Sequence, residues 1–92
     1  IQLNPIDMDF RESYGQYLEI NGDNLGAIAE YFIVAEEEPS SGRGFFKIGE
    51  VYLRMGEVDS ARMYFHEASL RSVEYGRLAN DLLTEHGYND KL

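Results

Sequence analysis

The chain contains no cysteine, no tryptophan and only two prolines among its 92 residues. Without cysteine it forms no disulfide framework and offers no thiolate to a metal, which is typical of proteins in a reducing compartment. No apolar run approaches the roughly 20 residues that a membrane-spanning helix needs, and no basic stretch precedes an apolar one at the N-terminus. These absences predict a soluble, cytoplasmic chain.

Basic side chains are also scarce. Eight Lys and Arg stand against seventeen Asp and Glu, which gives a formal net charge of −9. Phosphate backbones and anionic membranes are bound through clustered Lys and Arg, so the composition argues against nucleic-acid and membrane partners. It favours partners that are neutral or basic rather than acidic, because long-range attraction speeds the encounter of a basic molecule with an acidic surface.

Sequence patterns that carry chemistry are missing as well. His66 and Glu67 are not followed by the second histidine that a helical zinc site needs, and no Gly-Lys-Ser/Thr phosphate loop occurs. The serines do not stand in a nucleophile-elbow pattern, and acidic pairs are too common here to indicate acid–base catalysis. We therefore expect that the chain is not an enzyme and binds no metal or cofactor.

The chain does contain one sequence unit written twice. Three small residues recur 34 positions later, namely Gly15, Gly22 and Ala27 as Gly49, Gly56 and Ala61. A period near 34 residues without strand-like alternation is typical of stacked helical hairpins, in which each unit buries its apolar face against the next. Apolar side chains within the second unit follow a helical spacing, as Ile48, Tyr52 and Met55 do. The sequence therefore predicts two helical hairpins.

The second unit carries further residues of a known repeat. Phe45, Ile48, Gly49 and Tyr52 fit an aromatic-x-x-aliphatic-Gly-x-x-Tyr pattern, and Ala61 and Phe65 follow with Ala-x-x-x-Phe spacing. In these residues the chain resembles the tetratricopeptide repeat family, with a first repeat over about residues 8–41 and a second over about 42–75. The resemblance implies an all-α helical-repeat superhelix, in which the first helix of each repeat lines a concave groove that binds a peptide or protein.

Local signals predict where the helices begin and end. Asp9 and Asp59 are the predicted N-caps, so we expect helix starts near residues 9 and 59. A fifth helix over about residues 75–86 should end before Gly87 and cap the second repeat. Residues 1–92 then form a single domain, and the start at Ile1 instead of Met predicts that this domain is excised from a longer protein.

The resemblance also implies which residues line the groove. They are Glu12, Gln16, Arg43, Phe46, Lys47, Glu50 and Arg77. Glu12 stands where a chaperone-binding subgroup of the family has a lysine, so an acidic peptide tail is not the expected ligand. Phe46 is the candidate apolar anchor for a partner, and an equal alternative is that it fills the core beside the joint between the repeats.

The segment Ala27–Ala35 is apolar around most of its circumference, since Glu30 is its only charged residue. Either Ile1–Phe10 folds back over this surplus, or a partner chain covers it, as a second copy or a preceding repeat would. The second case implies an alternative function, an assembly or dimerisation domain that scaffolds or regulates an enzyme domain of the parent chain. The candidate self-association residues are Ile28, Phe32 and Ile33.

Overall fold

The structure is a computed structural model that describes residues 5–89 and 91–92, with side chains from Met8 onward. Residues 5–89 form five α-helices and no strand: α1 (Pro5–Ile20), α2 (Asn24–Glu37), α3 (Arg43–Arg54), α4 (Val58–Arg71) and α5 (Val73–Glu85). α1 packs on α2 and α3 on α4, α2 joins the two pairs by packing on α3, and α5 packs on α4. The prediction of an all-α protein with five helices is confirmed.

Both hairpins turn in the same way. Gly22 has a φ of 85° and Gly56 a φ of 83°, in the left-handed region that glycine adopts at little steric cost. The residue after each glycine donates its N–H to the carbonyl oxygen five positions earlier and so closes the last helical turn. These hydrogen bonds run from Asp23 to Leu18 (2.8 Å) and from Glu57 to Tyr52 (2.9 Å). α5 ends in the same arrangement at Gly87, whose φ is 91°. The prediction that the fifth helix ends before Gly87 is confirmed.

Each hairpin is closed by a glycine that lies on an aromatic ring. A Cβ atom added to Gly15 would lie 2.5 Å from Cε1 of Tyr31, and one added to Gly49 would lie 2.5 Å from Cδ1 of Phe65. Tyr31 and Phe65 are fully buried and are themselves 34 residues apart. Gly49 therefore touches the neighbouring helix of its own hairpin, and Gly15 makes the same contact in the first hairpin.

The core consists of two apolar clusters. One lies between the hairpins and contains Ala27, Ile28, Tyr31, Ile48 and Val51. The other joins the second hairpin to α5 and contains Phe46, Leu53, Ala61, Phe65, Ala68, Ala79 and Leu83. α3 contributes to both clusters, so it is the central helix of the domain. Gly44 allows its first turn to approach α2, because a Cβ there would collide with the backbone of Ala35.

The N-terminus of α1 differs from the prediction. The helix begins at Pro5, so Asp9 lies in its second turn and is not an N-cap. Proline suits the first helical position, since its φ is already helical and it lacks an N–H that would have no partner there. The Asp9 carboxylate accepts a hydrogen bond from Arg43 of α3 at 2.8 Å. Capping-box spacing was misleading because acidic residues are frequent throughout this chain.

α4 and α5 also begin slightly earlier than predicted. α4 starts at Val58 with Glu57 at the N-cap position. Asp59 lies in the first turn, where its negative charge interacts favourably with the positive end of the helix dipole. α5 starts at Val73, and the hydroxyl of the preceding Ser72 accepts a hydrogen bond from the N–H of Tyr75. Ser72 therefore supplies the N-cap that the sequence prediction had not assigned.

Candidate functional site

A groove of about 430 Å³ lies between α1, α3 and α5 and is here called the α1–α3–α5 groove. It is lined by Gln16, Glu19, Ile20, Lys47, Glu50, Leu53, Arg54, Leu82 and His86. Its apolar surface comes from one residue on each helix, and its polar surface from two acidic and two basic side chains, a glutamine and a histidine. Such a mixture suits an amphipathic peptide better than a small apolar ligand.

The same helical positions of the two hairpins line this groove. Gln16, Glu19 and Ile20 of α1 lie 34 residues before Glu50, Leu53 and Arg54 of α3. Because both hairpins turn in the same way, residues at equivalent positions face the same side of the domain. The sequence prediction missed six residues of the groove, namely Glu19, Ile20, Leu53, Arg54, Leu82 and His86. The 34-residue offset links four of them in two pairs, Glu19 with Leu53 and Ile20 with Arg54, so either member of a pair would have indicated the other.

Glu19 ties three helices together at one wall of the groove. Its carboxylate accepts a hydrogen bond from the hydroxyl of Tyr31 on α2 and forms an ion pair with Arg54 on α3, at 2.6 Å between Oε2 and Nη2. Tyr31 is buried, and burial together with the Glu19 carboxylate raises the pKa of its hydroxyl well above the usual range. Tyr31 therefore remains a neutral donor to Glu19 at physiological pH.

Glu50 is the second carboxylate of the groove, and nearby cations offset its charge only in part. Burial raises the pKa of Glu50 and the charge of Glu19 raises it further, while the charge and hydrogen bond of Lys47 and the charge of Arg54 lower it. The Lys47 ammonium lies 3.6 Å from the Glu50 carboxylate. The net effect is an upward shift, so the ionised form of Glu50 is incompletely compensated. A cation brought by a ligand would stabilise it.

Arg43 lies outside the groove in an ion-pair cluster that joins the two hairpins. Its guanidinium approaches carboxylate oxygens of Asp9 at 2.8 Å, Glu12 at 3.4 Å and Glu38 at 2.8 Å. Three acidic groups around a single basic one leave this region negative. Glu12 and Arg43, both predicted to line the groove, therefore contact each other and hold α1, α3 and the end of α2 together.

The other predicted groove residues divide into two groups. Gln16, Lys47 and Glu50 line the α1–α3–α5 groove. Phe46 is buried, with its ring stacked on Tyr75 at 4.9 Å between centroids, which favours the alternative that it fills the core.

Arg77 faces a different side of α5 from the groove. It lies 4.0 Å from Glu74 and borders a separate polar depression with Asn80, Asp81 and Thr84. Leu82 and His86 are the residues of α5 that face the groove. Arg43, the residue 34 positions before Arg77, also lies outside the groove.

The residues predicted for self-association are only partly exposed to a second chain. Ile28 is buried in the core of its own chain, and Ile33 is half-buried. Phe32 remains 38% exposed, and its ring packs edge-on against Tyr64 of α4 at 5.7 Å. Much of the apolar surplus on α2 is thus covered by α1 and α3, with Tyr64 of α4 against Phe32. The alternative in which Ile1–Phe10 covers it depends partly on residues 1–4, which lie outside the described residues.

The described residues contain no group of three or more metal-binding side chains of the kind that could hold an ion. In the same part of the chain, no helix combines the length and apolar character needed to cross a membrane. Comparison of the chain with models of known protein families, with curated proteins and with solved structures finds no match. The likeness to the tetratricopeptide repeat therefore stays a prediction that rests on the quoted residues.

Proposed function

We propose that this domain is a protein-interaction module that binds a peptide or protein segment in the α1–α3–α5 groove. The observation that carries the proposal is the convergence of equivalent positions from α1 and α3, together with α5, on one depression. Helical-repeat domains use such surfaces, built from the same position of successive repeats, for extended ligands. The likeness to the tetratricopeptide repeat family supports the same use.

The chemistry of the groove indicates what the ligand carries. Leu53 and Leu82 offer apolar surface, and Glu50 offers an incompletely compensated carboxylate. The ligand is therefore a segment with an apolar side chain next to a lysine or arginine. An acidic ligand is disfavoured by the net charge of −9 and by the negative cluster around Arg43.

A peptide titration tests the groove. The probes are two fluorescein-labelled ten-residue peptides of alternating leucine and charged residues, one with lysines and the other with glutamates. We expect the lysine peptide to bind at physiological salt and the glutamate peptide not to bind. Glu50→Gln should weaken binding of the lysine peptide by about twofold to fivefold, because a partly exposed charge contact contributes about 1 kcal/mol or less.

Arg77→Ala is the matched control, since Arg77 lies on α5 but outside the groove. It should leave the affinity for the lysine peptide unchanged. Equal binding of both peptides, or binding that survives Glu50→Gln and is lost with Arg77→Ala, would contradict the groove as the binding site.

A second candidate is the assembly role. It is favoured by a specific observation, the row of exposed aromatic rings on α1.

A further inference from the structure

α1 exposes a row of aromatic side chains on the side that faces away from the rest of the domain. Phe10 is 69% exposed, Tyr14 43% and Tyr17 60%. Their spacing of four and three residues places them on one face of the helix, and the rings of Tyr14 and Tyr17 stack at 6.4 Å. Ser13, the residue between them on this face, is uncharged. We call these four residues the α1 stripe.

The two ends of the stack of helices differ in character. The outward side of α5 carries Arg77, Asn80, Asp81 and Thr84 beside the exposed Val73, so it is mostly polar, as the outer face of a capping helix is. The outward side of α1 carries the stripe instead. In a head-to-tail contact between copies, Arg77 and Asp81 would be buried against aromatic rings and would lose their hydration, which costs free energy. A contact between the α1 stripes of two copies buries no charged side chain of α5 and avoids this cost.

We propose that the α1 stripe pairs with the same stripe on a second copy of this chain, with the two helices antiparallel about a two-fold axis near Tyr14. Phe10 of each copy then faces Tyr17 of the other, as a self-complementary two-fold contact requires. The hydroxyls of the two tyrosines lie at the rim, where they keep their hydrogen bonds to water. This pairing supplies the contact surface for the proposed assembly role. It does not depend on ligand binding in the α1–α3–α5 groove.

The area of the stripe sets the strength of the pairing. An aromatic side chain buries about 150–250 Å², so the exposed parts of three rings contribute roughly 350 Å² per copy. Two copies bury about 700 Å² from the rings alone, and about 1,000 Å² with neighbouring side chains, which is near the lower limit of specific interfaces. The expected dimer is therefore weak, and its population depends on the protein concentration.

Salt should strengthen this dimer. Each copy carries a net charge of −9, and the two copies repel each other as they approach. Because the stripe itself is uncharged, screening weakens the repulsion without weakening the contact. Binding of a lysine peptide in the groove should show the opposite salt dependence. The two proposals can therefore fail independently of each other.

Sedimentation equilibrium of the purified chain tests the pairing, over concentrations from about 1 μM to about 1 mM. We expect a monomer–dimer equilibrium that shifts toward dimer between about 50 mM and about 500 mM salt. Tyr17→Glu should weaken dimerisation by about tenfold or more, since it places a charge in the contact. Leu25→Glu is the matched control, because Leu25 is 73% exposed on α2, seven residues before Phe32 on the same face of that helix.

A crosslinking experiment tests the geometry. The chain has no cysteine, so a single introduced thiol reports on one position. Tyr14→Cys should form a disulfide-linked dimer on mild oxidation, because residues near a two-fold axis bring their Cα atoms within about 7 Å. Leu25→Cys should form no disulfide-linked dimer at the same concentration, because Leu25 lies outside the proposed contact. A monomeric chain at the highest concentration, or loss of the dimer with Leu25→Glu but not with Tyr17→Glu, would overturn the proposal.

Discussion

The contact between Gly49 and Phe65 makes a sharp test of the fold. A side chain at position 49 must occupy space that the ring of Phe65 already fills, since an added Cβ would lie 2.5 Å from Cδ1 and 2.6 Å from Cε1. Ordinary carbon contacts are about 3.4–4 Å, so the ring would have to retreat by roughly 1 Å. Phe65 has no exposed surface and packs against Phe46 at 5.5 Å, which leaves it no free direction.

The size of the effect follows from two opposing contributions. Replacing a helical glycine by alanine favours the helix by about 0.8–1 kcal/mol. Overpacking a dense core costs about 1–3 kcal/mol for small insertions. Gly49→Ala should therefore destabilise by up to about 2 kcal/mol, and Gly49→Leu by more, because three further carbons enter the same space. At about 4–8 °C per kcal/mol, we expect Gly49→Leu to lower the melting temperature by about 10–20 °C.

Thermal unfolding followed by circular dichroism measures this shift, with Gly76→Ala as the control. Gly76 is a helical glycine of α5 whose added Cβ would lie 3.1 Å from Cβ of Ser69, so only a few tenths of an ångström of adjustment are needed. Its melting temperature should stay unchanged or rise by a few degrees, since the helix-propensity gain is nearly unopposed. A Gly49→Leu variant that melts at the wild-type temperature would refute the close packing of α3 on α4.

Two further predictions concern the first hairpin. Tyr31→Phe should destabilise by about 1–3 kcal/mol at neutral pH, because the hydrogen bond to the Glu19 carboxylate is lost. Above about pH 10 an unfolded chain ionises this tyrosine while its raised pKa keeps the folded one neutral, so wild-type stability falls by about 1.4 kcal/mol per pH unit from this group. Urea unfolding from pH 8 to 11 should therefore show the gap between variant and wild type closing, and a constant gap would contradict a raised Tyr31 pKa. Asp23→Ala should lower the free energy of unfolding by about 1 kcal/mol in the same assay, since the Asp23 carboxylate accepts the hydrogen bond that caps α2. Glu57 stands at the equivalent position of α4 and makes no capping hydrogen bond, so Glu57→Ala should change that free energy by less than about 0.5 kcal/mol. Equal losses in the two variants would show that the cap contributes nothing.

The sequence by itself determined those features that depend on neighbours along the chain. The turn glycines were predictable because a positive φ within a helix-ending turn excludes most other residues. The close approach of Gly15 and Gly49 to a second helix was indicated by their 34-residue recurrence. In both hairpins the aromatic ring contacts the glycine sixteen residues earlier in the sequence, which is the separation between facing positions on the two helices of the hairpin. These relations are local and therefore repeat with the sequence.

Tertiary packing decided the features that depend on residues far apart in the chain. The role of Asp9 depends on Arg43, 34 residues away, and the burial of Phe46 depends on where Tyr75 lies once α5 has docked. Leu82 and His86 face the groove although the residues 34 positions earlier do not line it, so the docking of α5 decided which of its sides faces α3. A single sequence specifies how a helix is patterned, but the rotation and offset at which two helices meet arise from the packing of all their side chains together.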